Sequence, residues 1–160
     1  MSPGREQVTS YLAVAIRRMS PSDVSHVMAI LNESREAAAW SEKSLVESMS
    51  SGMAWIAEQD GVVDGFLVGR CAADEFEILN LAVASAHRRR GIAGRLVNEA
   101  LLSSINSGAR RAYLEVRASN EAAISLYSRR GFNASGRRRA YYKRPVEDAI
   151  LFSLHLNEIP

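Results

Sequence analysis

The sequence predicts a mixed α/β fold of the α+β kind: a mostly antiparallel sheet of about seven strands with one parallel pair, flanked by about four helices. Three observations predict it. The turn signals Asp60-Gly61 and Asp74-Glu75 divide three apolar runs into an antiparallel meander. The next two apolar runs are joined through a helical stripe instead of a hairpin turn, which implies a right-handed crossover and a parallel pair. Helix-start residues precede helical periodicity after Ser20, Ser41 and Asn120.

Each element follows in order. Met1 to Ser10 is polar, holds Pro3 and Gly4, and reads as a flexible start. Leu12 to Met19 alternates apolar residues with small or basic ones, as a first strand does. Ser20-Pro21-Ser22-Asp23 supplies a serine cap, a proline at the first helical position and an acid in the first turn. Val24, Val27, Met28 and Leu31 continue at helical spacing. Trp40 to Leu45 begins a second short helix, capped by Ser41. Met53 to Glu58, Val62 to Cys71 and Phe76 to Val83 are the strands of the meander. Ile92, Leu96, Val97, Ala100, Leu101 and Ile105 form one apolar helical stripe, ended by Gly108. Ala112 to Val116 is the next strand. Asn120 caps a helix carrying Ala123, Leu126 and Tyr127, stopped by Gly131. Phe132 and the region Ala149 to Leu156 supply the last strands.

A chain of 160 residues without repeats or linkers fits one domain, residues 1–160. Net charge is only +2, so the chain is no polycation. Its basic residues are clustered, at Arg88 to Arg90, Arg110 with Arg111, Arg137 to Arg139, and Lys143 with Arg144. Such clusters fit anionic ligands better than bulk nucleic-acid coating. Aromatics are not interleaved with them, so no dedicated nucleic-acid binding is expected. Cys71 is alone, which precludes an internal disulfide and fits a reducing compartment. The apolar run Tyr11 to Ile16 is too short to span a membrane and lacks the plan of a signal peptide. A cytoplasmic protein with no membrane partner is expected. His26, His87 and His155 show no metal-ligand spacing, and His87 reads as a turn residue.

The segment from Leu81 to Gly94 carries the most chemistry. It reads as an apolar strand, a basic turn and the first turn of a helix. Unpaired amides at a helix start attract anions, and Arg88, Arg89 and Arg90 add charge. Small residues at Gly91, Ala93 and Gly94 let a phosphate approach the main chain. A pyrophosphate site is the expectation. Glu115 is a second candidate, because it interrupts an otherwise apolar strand with Leu114 and Val116 on the opposite face. It suits a general base; a surface acid or a partner of Arg117 is the alternative.

Arg88-Arg89-Arg90-Gly91-Ile92-Ala93 resembles the (Gln/Arg)-x-x-Gly-x-(Gly/Ala) signature of the GNAT superfamily of acetyl-CoA-dependent N-acetyltransferases. Leu114-Glu115-Val116-Arg117-Ala118-Ser119-Asn120, continued by Ala123, Leu126-Tyr127 and Gly131-Phe132, is similar to the matching run of RimI-type ribosomal-protein N-terminal alanine acetyltransferases. Trp40-Ser41-Glu42-Lys43, Tyr141-Tyr142 and Glu147-Asp148-Ala149 extend that likeness. The chain departs from it at Ala39, where proline is usual, at Ala140, where a polar residue is common, and in a short segment between Tyr142 and Glu147.

The resemblance implies a GNAT fold whose parallel pair is splayed, with acetyl-CoA as cosubstrate and no metal. It implies that Leu81, Ala82 and Val83 pair with the pantetheine arm, with the Val83 amide on the thioester carbonyl. Arg88, Arg89, Arg90, Gly91, Ile92, Ala93 and Gly94 would hold the diphosphate, and Asn120 would both cap its helix and bind the pantetheine. Glu115 would be the base, and Tyr127 the acid that protonates the departing sulfur. Trp40, Ser41, Tyr141 and Tyr142 would grip the acceptor. Glu33, Glu36 and Asp74 are open candidates to receive a basic second residue. The acceptor implied is a protein N-terminus, the alanine of a small-subunit ribosomal protein. A small-molecule amine or a lysine side chain is one alternative, and a non-catalytic acyl-CoA sensor or RNA-binding module is another.

Overall fold

The computed structural model describes residues 14–158. The expected flexible start and the first residues of the expected first strand lie outside that range. Seven strands form one sheet in the order β1-β2-β3-β4-β5-β7-β6. They are β1 (Ala15–Arg18), β2 (Ala54–Gln59), β3 (Val62–Ala72), β4 (Glu75–Val83), β5 (Arg111–Arg117), β6 (Asn133–Lys143) and β7 (Val146–His155). Among the described residues, four helices accompany them: α1 (Val24–Glu33), α2 (Glu42–Met49), α3 (Ile92–Asn106) and α4 (Glu121–Arg129). Among the described residues, no helix is long and apolar enough to cross a membrane.

The local sequence explains the elements. Ser20 and Asp23 form a capping box around Pro21, opening a short 3-10 turn that runs into α1. Asp60 and Gly61 take positive φ in the β2–β3 turn, which a tight hairpin needs. β2 and β3 alternate their apolar side chains between two layers. Trp55, Leu67, Phe76, Leu96 and Val97 fill the layer beneath α3 and α4. Val27, Leu45, Ile56, Phe66 and Val68 fill the layer beneath α1 and α2.

Arg17 on β1 grips Asp23 with both guanidinium arms, at 2.7 and 2.8 Å. This pairing, assisted by Ser20, holds the Asp23 carboxyl down at about 2, against an ordinary 3.8. The unfolded chain therefore takes up this proton first on acidification. The pair stabilises the fold fully above pH 3.8, and the contribution disappears as pH falls toward 2. Urea midpoints of wild type and Asp23→Asn should differ at neutral pH and converge across that window.

β4 and β5 are parallel, as the helical crossover between them requires. Every other strand contact is antiparallel. The least expected element is β6. The sequence places Phe132 in a strand, but the strand begins at Asn133 and runs to Lys143, and Phe132 is core. Nearly all of β6 is exposed at the sheet edge, so its side chains carry no burial alternation that could announce it.

Candidate active site

The site begins with a missing partner. Parallel pairing of β4 with β5 covers only Glu75↔Arg111 to Ile78↔Leu114. On the other edge of β4, the register steps from Val68↔Asn80 to Gly69↔Ile78. Leu79 is therefore an extra residue, a bulge that bends the strand where the parallel ladder stops. Beyond it, residues 80–83 keep β3 on one side and face a gap on the other. The Ala84 N–H donates to the Asp64 carbonyl at 2.7 Å, toward β3. Successive peptide groups alternate direction along a strand, so the Val83 N–H and C=O point into the gap.

At the end of the gap stands the N-terminus of α3. α2 and α4 have side-chain caps, from Ser41 and Asn120. α3 is preceded by Gly91 at φ 78°, which has no side chain to offer. Its first-turn amides remain available to a ligand. Arg89, at φ 63°, and Gly91 bend the loop sharply before the helix.

Gap and helix start open into one cleft of about 750 Å3. Leu81, Ala82, Val83, Arg88, Arg89, Gly91, Ile92, Ala93, Gly94 and Asn120 all line it. Arg90 does not, and its guanidinium lies instead 3.5 Å from His87 Nδ1. Arg88 lines the cleft yet folds back, its Nε donating to the Val83 carbonyl at 3.2 Å and Nη2 to Ser34 Oγ at 3.4 Å. It ties the loop to the strand and to the end of α1.

Several lining residues were not anticipated. Ser34, Glu36 and Ala37, from the α1–α2 linker, form one wall. Arg129 and Arg130 add cations from the end of α4. Arg130 is fixed by Asn98 Oδ1 at 3.1 Å and the Leu126 carbonyl at 3.2 Å. Its tip occupies the space that a Cβ at Gly94 would need. Burial lowers its pKa from the ordinary value. The signal for Arg130 was present, since Ala123, Leu126 and Arg130 follow Asn120 at helical spacing. An unpaired strand edge for amide pairing, free helix-start amides and converging guanidiniums fit an elongated ligand with an amide-bearing arm and a diphosphate end.

Glu115 sits on β5 facing away from Leu114 and Val116, which are buried. It borders a second, smaller cavity of about 360 Å3 rather than the main cleft. Its Oε1 pairs with Arg138 Nε at 3.2 Å. The alternative pairing with Arg117 does not form, because Arg117 pairs with Glu147 at 3.3 Å. The Tyr141 hydroxyl is hydrogen-bonded to Glu115, which raises the phenol's pKa. Burial, with Glu115 next in size, pushes the neighbouring Tyr142 up to about 12. The fold thus brings Glu115, Arg138, Tyr141 and Tyr142 together from β5 and β6.

The placement of the two tyrosines depends on a second irregularity. Pairing of β6 with β7 jumps from Arg138↔Ala149 to Tyr142↔Glu147. Ala140 takes φ 48° in the extra loop, and its N–H donates to Asp148 Oδ1 at 2.9 Å. Arg117 lies 4.2 Å from the Tyr142 ring centroid, a cation–π contact that ties the hairpin to β5.

Tyr127 is buried in α4, with its ring edge-on to Phe132 at 5.5 Å. It packs in the core and is absent from the lining of the main cleft. Burial raises its phenol pKa above the usual range, so the hydroxyl keeps its proton. Trp40 packs half-buried against the α1–α2 core, and Ser41 is exposed as the cap of α2. Asn80 Nδ2 donates to the Ala38 carbonyl at 3.0 Å, anchoring the linker before Trp40 beside the gap.

Residues 24–132 match the model of the Acetyltransferase (GNAT) family. The chain is 35% identical over 122 residues to the [Ribosomal protein bS18]-alanine N-acetyltransferase of Escherichia coli (strain K12), covering 74% of this chain and 82% of that protein. The crystal structure of the ribosomal-protein-S18-alanine N-acetyltransferase from Escherichia coli superposes with a TM-score of 0.82 at 29% identity, covering 92% of this chain and 97% of that one. Arabidopsis thaliana NAA60 in complex with acetyl-CoA gives a TM-score of 0.80 at 25% identity, over 91% and 99% of the two chains.

Proposed function

We propose that this chain, which belongs to the GNAT acetyltransferase family, transfers the acetyl group of acetyl-CoA to the N-terminal α-amino group of a protein. The favoured acceptor is the N-terminal alanine of ribosomal protein bS18. The observation that carries the transfer chemistry is the opened edge of β4 leading to the uncapped start of α3. Likeness to the Escherichia coli enzyme over 82% of that protein's length supports the acceptor.

The coenzyme supplies an activated acyl thioester. The α3 amides with Arg89, Arg129 and Arg130 hold its diphosphate, and the main chain of residues 81–83 holds its arm. The Val83 N–H is aimed at the gap, where it stabilises negative charge developing on the thioester oxygen. Glu115 attracts the acceptor's ammonium and takes its proton, directly or through water. Arg138 already sets a cation against this carboxylate. The N–C bond forms as the C–S bond breaks, Tyr127 gives its retained proton to the leaving sulfur, and the second proton, shed by the acylated nitrogen, passes to solvent. Solvent then restores both side chains. Tyr141 and Tyr142 border Glu115 and form the wall for a short extended N-terminus, while Trp40 and Ser41 shape its far side.

Mass spectrometry of protein N-termini from cells lacking this chain tests the acceptor. Loss of acetyl from the bS18 alanine is expected. With purified protein, a peptide bearing that terminus should be acetylated on its α-amine in preference to spermidine, aminoglycosides or internal lysines. Turnover confined to small amines would refute the N-terminal reading. Coenzyme binding without thiol release across the whole panel would favour a sensor instead.

A further inference from the structure

The carboxylate read as the base already holds a cation. The Glu115 side chain is only 18% exposed, and Arg138 Nε lies 3.2 Å from its Oε1. The Arg138 guanidinium also sits over the Tyr141 ring, 5.5 Å from the centroid. Among the described residues it has no other ion pair or ring contact. The neighbouring arginines are held more firmly. Arg70 reaches Glu77 through Nε and Nη2, at 3.0 and 2.7 Å. Arg117 pairs with Glu147, donates to the Pro145 carbonyl at 3.3 Å and stacks on Tyr142. Arg138 is instead 55% exposed and stands on the edge strand β6, at the last paired position before residues 139–141 leave the ladder. An ion pair so open to water is parted at little cost.

We propose that Arg138 is a placeholder for the acceptor's ammonium: it neutralises Glu115 in the empty site and gives up the carboxylate when the acceptor arrives. This rests on the reading of Glu115 as the base. The guanidinium marks a position where a cation meets a carboxylate and the Tyr141 ring together, and an alkylammonium is drawn to the same two groups. Without the arginine, a mostly buried carboxylate would border the cavity of about 360 Å3 with the Tyr141 hydroxyl as its remaining partner. With the arginine in place, an ammonium cannot reach the carboxylate without facing a like charge beside it. The acceptor therefore enters by exchange, one cation for another, and Arg138 swings out to solvent at the sheet edge. A neutral group entering by the same route would leave the carboxylate unpaired, so the device admits protonated amines. Arg138 thus sets acceptor affinity and charge selectivity without touching the reacting atoms.

Steady-state kinetics with an alanine-initiated peptide test this. Arg138→Ala and Arg138→Gln should each lower the peptide's KM by about threefold, the scale of a partly exposed ion pair, with kcat changed by less than about twofold. Guanidinium chloride, well below denaturing concentration and with sodium chloride as the ionic-strength control, should raise KM in Arg138→Ala more than in wild type, because the free cation enters the vacated position. The fall in KM should vanish when Arg138→Ala is combined with Glu115→Gln, which has no charge to release. Arg139→Ala removes an equal charge from the exposed next position and should keep the wild-type KM. An unchanged or raised KM in both Arg138 variants overturns the proposal while leaving Glu115 as the base. Equal guanidinium sensitivity of variant and wild type, an undiminished fall in the Glu115→Gln background, or the same fall in Arg139→Ala does so too. A wild-type kcat in Glu115→Gln would instead overturn the base reading, and the Arg138 role with it.

Discussion

Glu115→Gln is expected to lower kcat by about 100-fold or more, the usual scale for loss of a general base. Coenzyme affinity should be unchanged, because Glu115 borders the smaller cavity and not the main cleft. The carboxamide keeps the side chain's size, so packing against Leu151 and Tyr113 around that cavity survives. In the proposed mechanism, what is lost is the charge that draws in an ammonium and removes its proton. An α-amine ordinarily titrates at roughly 7.7–8.0, so at neutral pH most acceptors arrive charged. The variant must wait for the neutral minority, and its rate should climb with pH through the amine's range more steeply than wild type. Stopped assays with an alanine-initiated peptide from neutral to mildly alkaline pH measure both effects. A wild-type kcat at neutral pH would remove Glu115 from the mechanism.

Tyr127→Phe should also cost about 100-fold in kcat, from loss of the proton donated to the departing thiolate. Thermal stability should barely change, since phenylalanine preserves the edge-on contact with Phe132. Burial, the largest influence on this phenol, raises its pKa and keeps it in the acid form that donation needs. Ultraviolet titration of wild type against Tyr127→Phe should accordingly show that the ionisation removed by the substitution lies above the ordinary tyrosine range near about pH 10. Retention of full turnover by the phenylalanine variant would leave Tyr127 as core packing alone, the role its burial and its contact with Phe132 already fill.

Much of this architecture was legible because its signals are local. The Ser20-Pro21 start, the Asp60-Gly61 turn, the α3 stripe and the Asn120 cap each depend on neighbours within a few residues. The loop and helix start that border the main cleft were legible for the same reason. What stayed hidden depends on distance or on irregularity. Asp64 and His87 meet only because β3 and β4 pair, and each looks ordinary in its own segment. The partner of Glu115 proved to be Arg138, brought in by β7 lying between β5 and β6. Arg90, read as a phosphate ligand from its place in a basic run, turns toward His87, because a left-handed residue at Arg89 redirects the chain. Bulges defeat alternation altogether, since one extra residue reverses which side chains face which layer.

That last point bears on how the slot in the sheet is specified. The opening between β4 and β5 is encoded by a count, because one surplus residue at Leu79 bends the strand just where its parallel partner is lost. Many side chains would serve at that position. Excising the codon would not: it would leave an unbroken β3–β4 ladder, with Ile78 and Val83 still on one layer but without the bend that opens the edge. Variation along this stretch is therefore free in spelling and constrained in length.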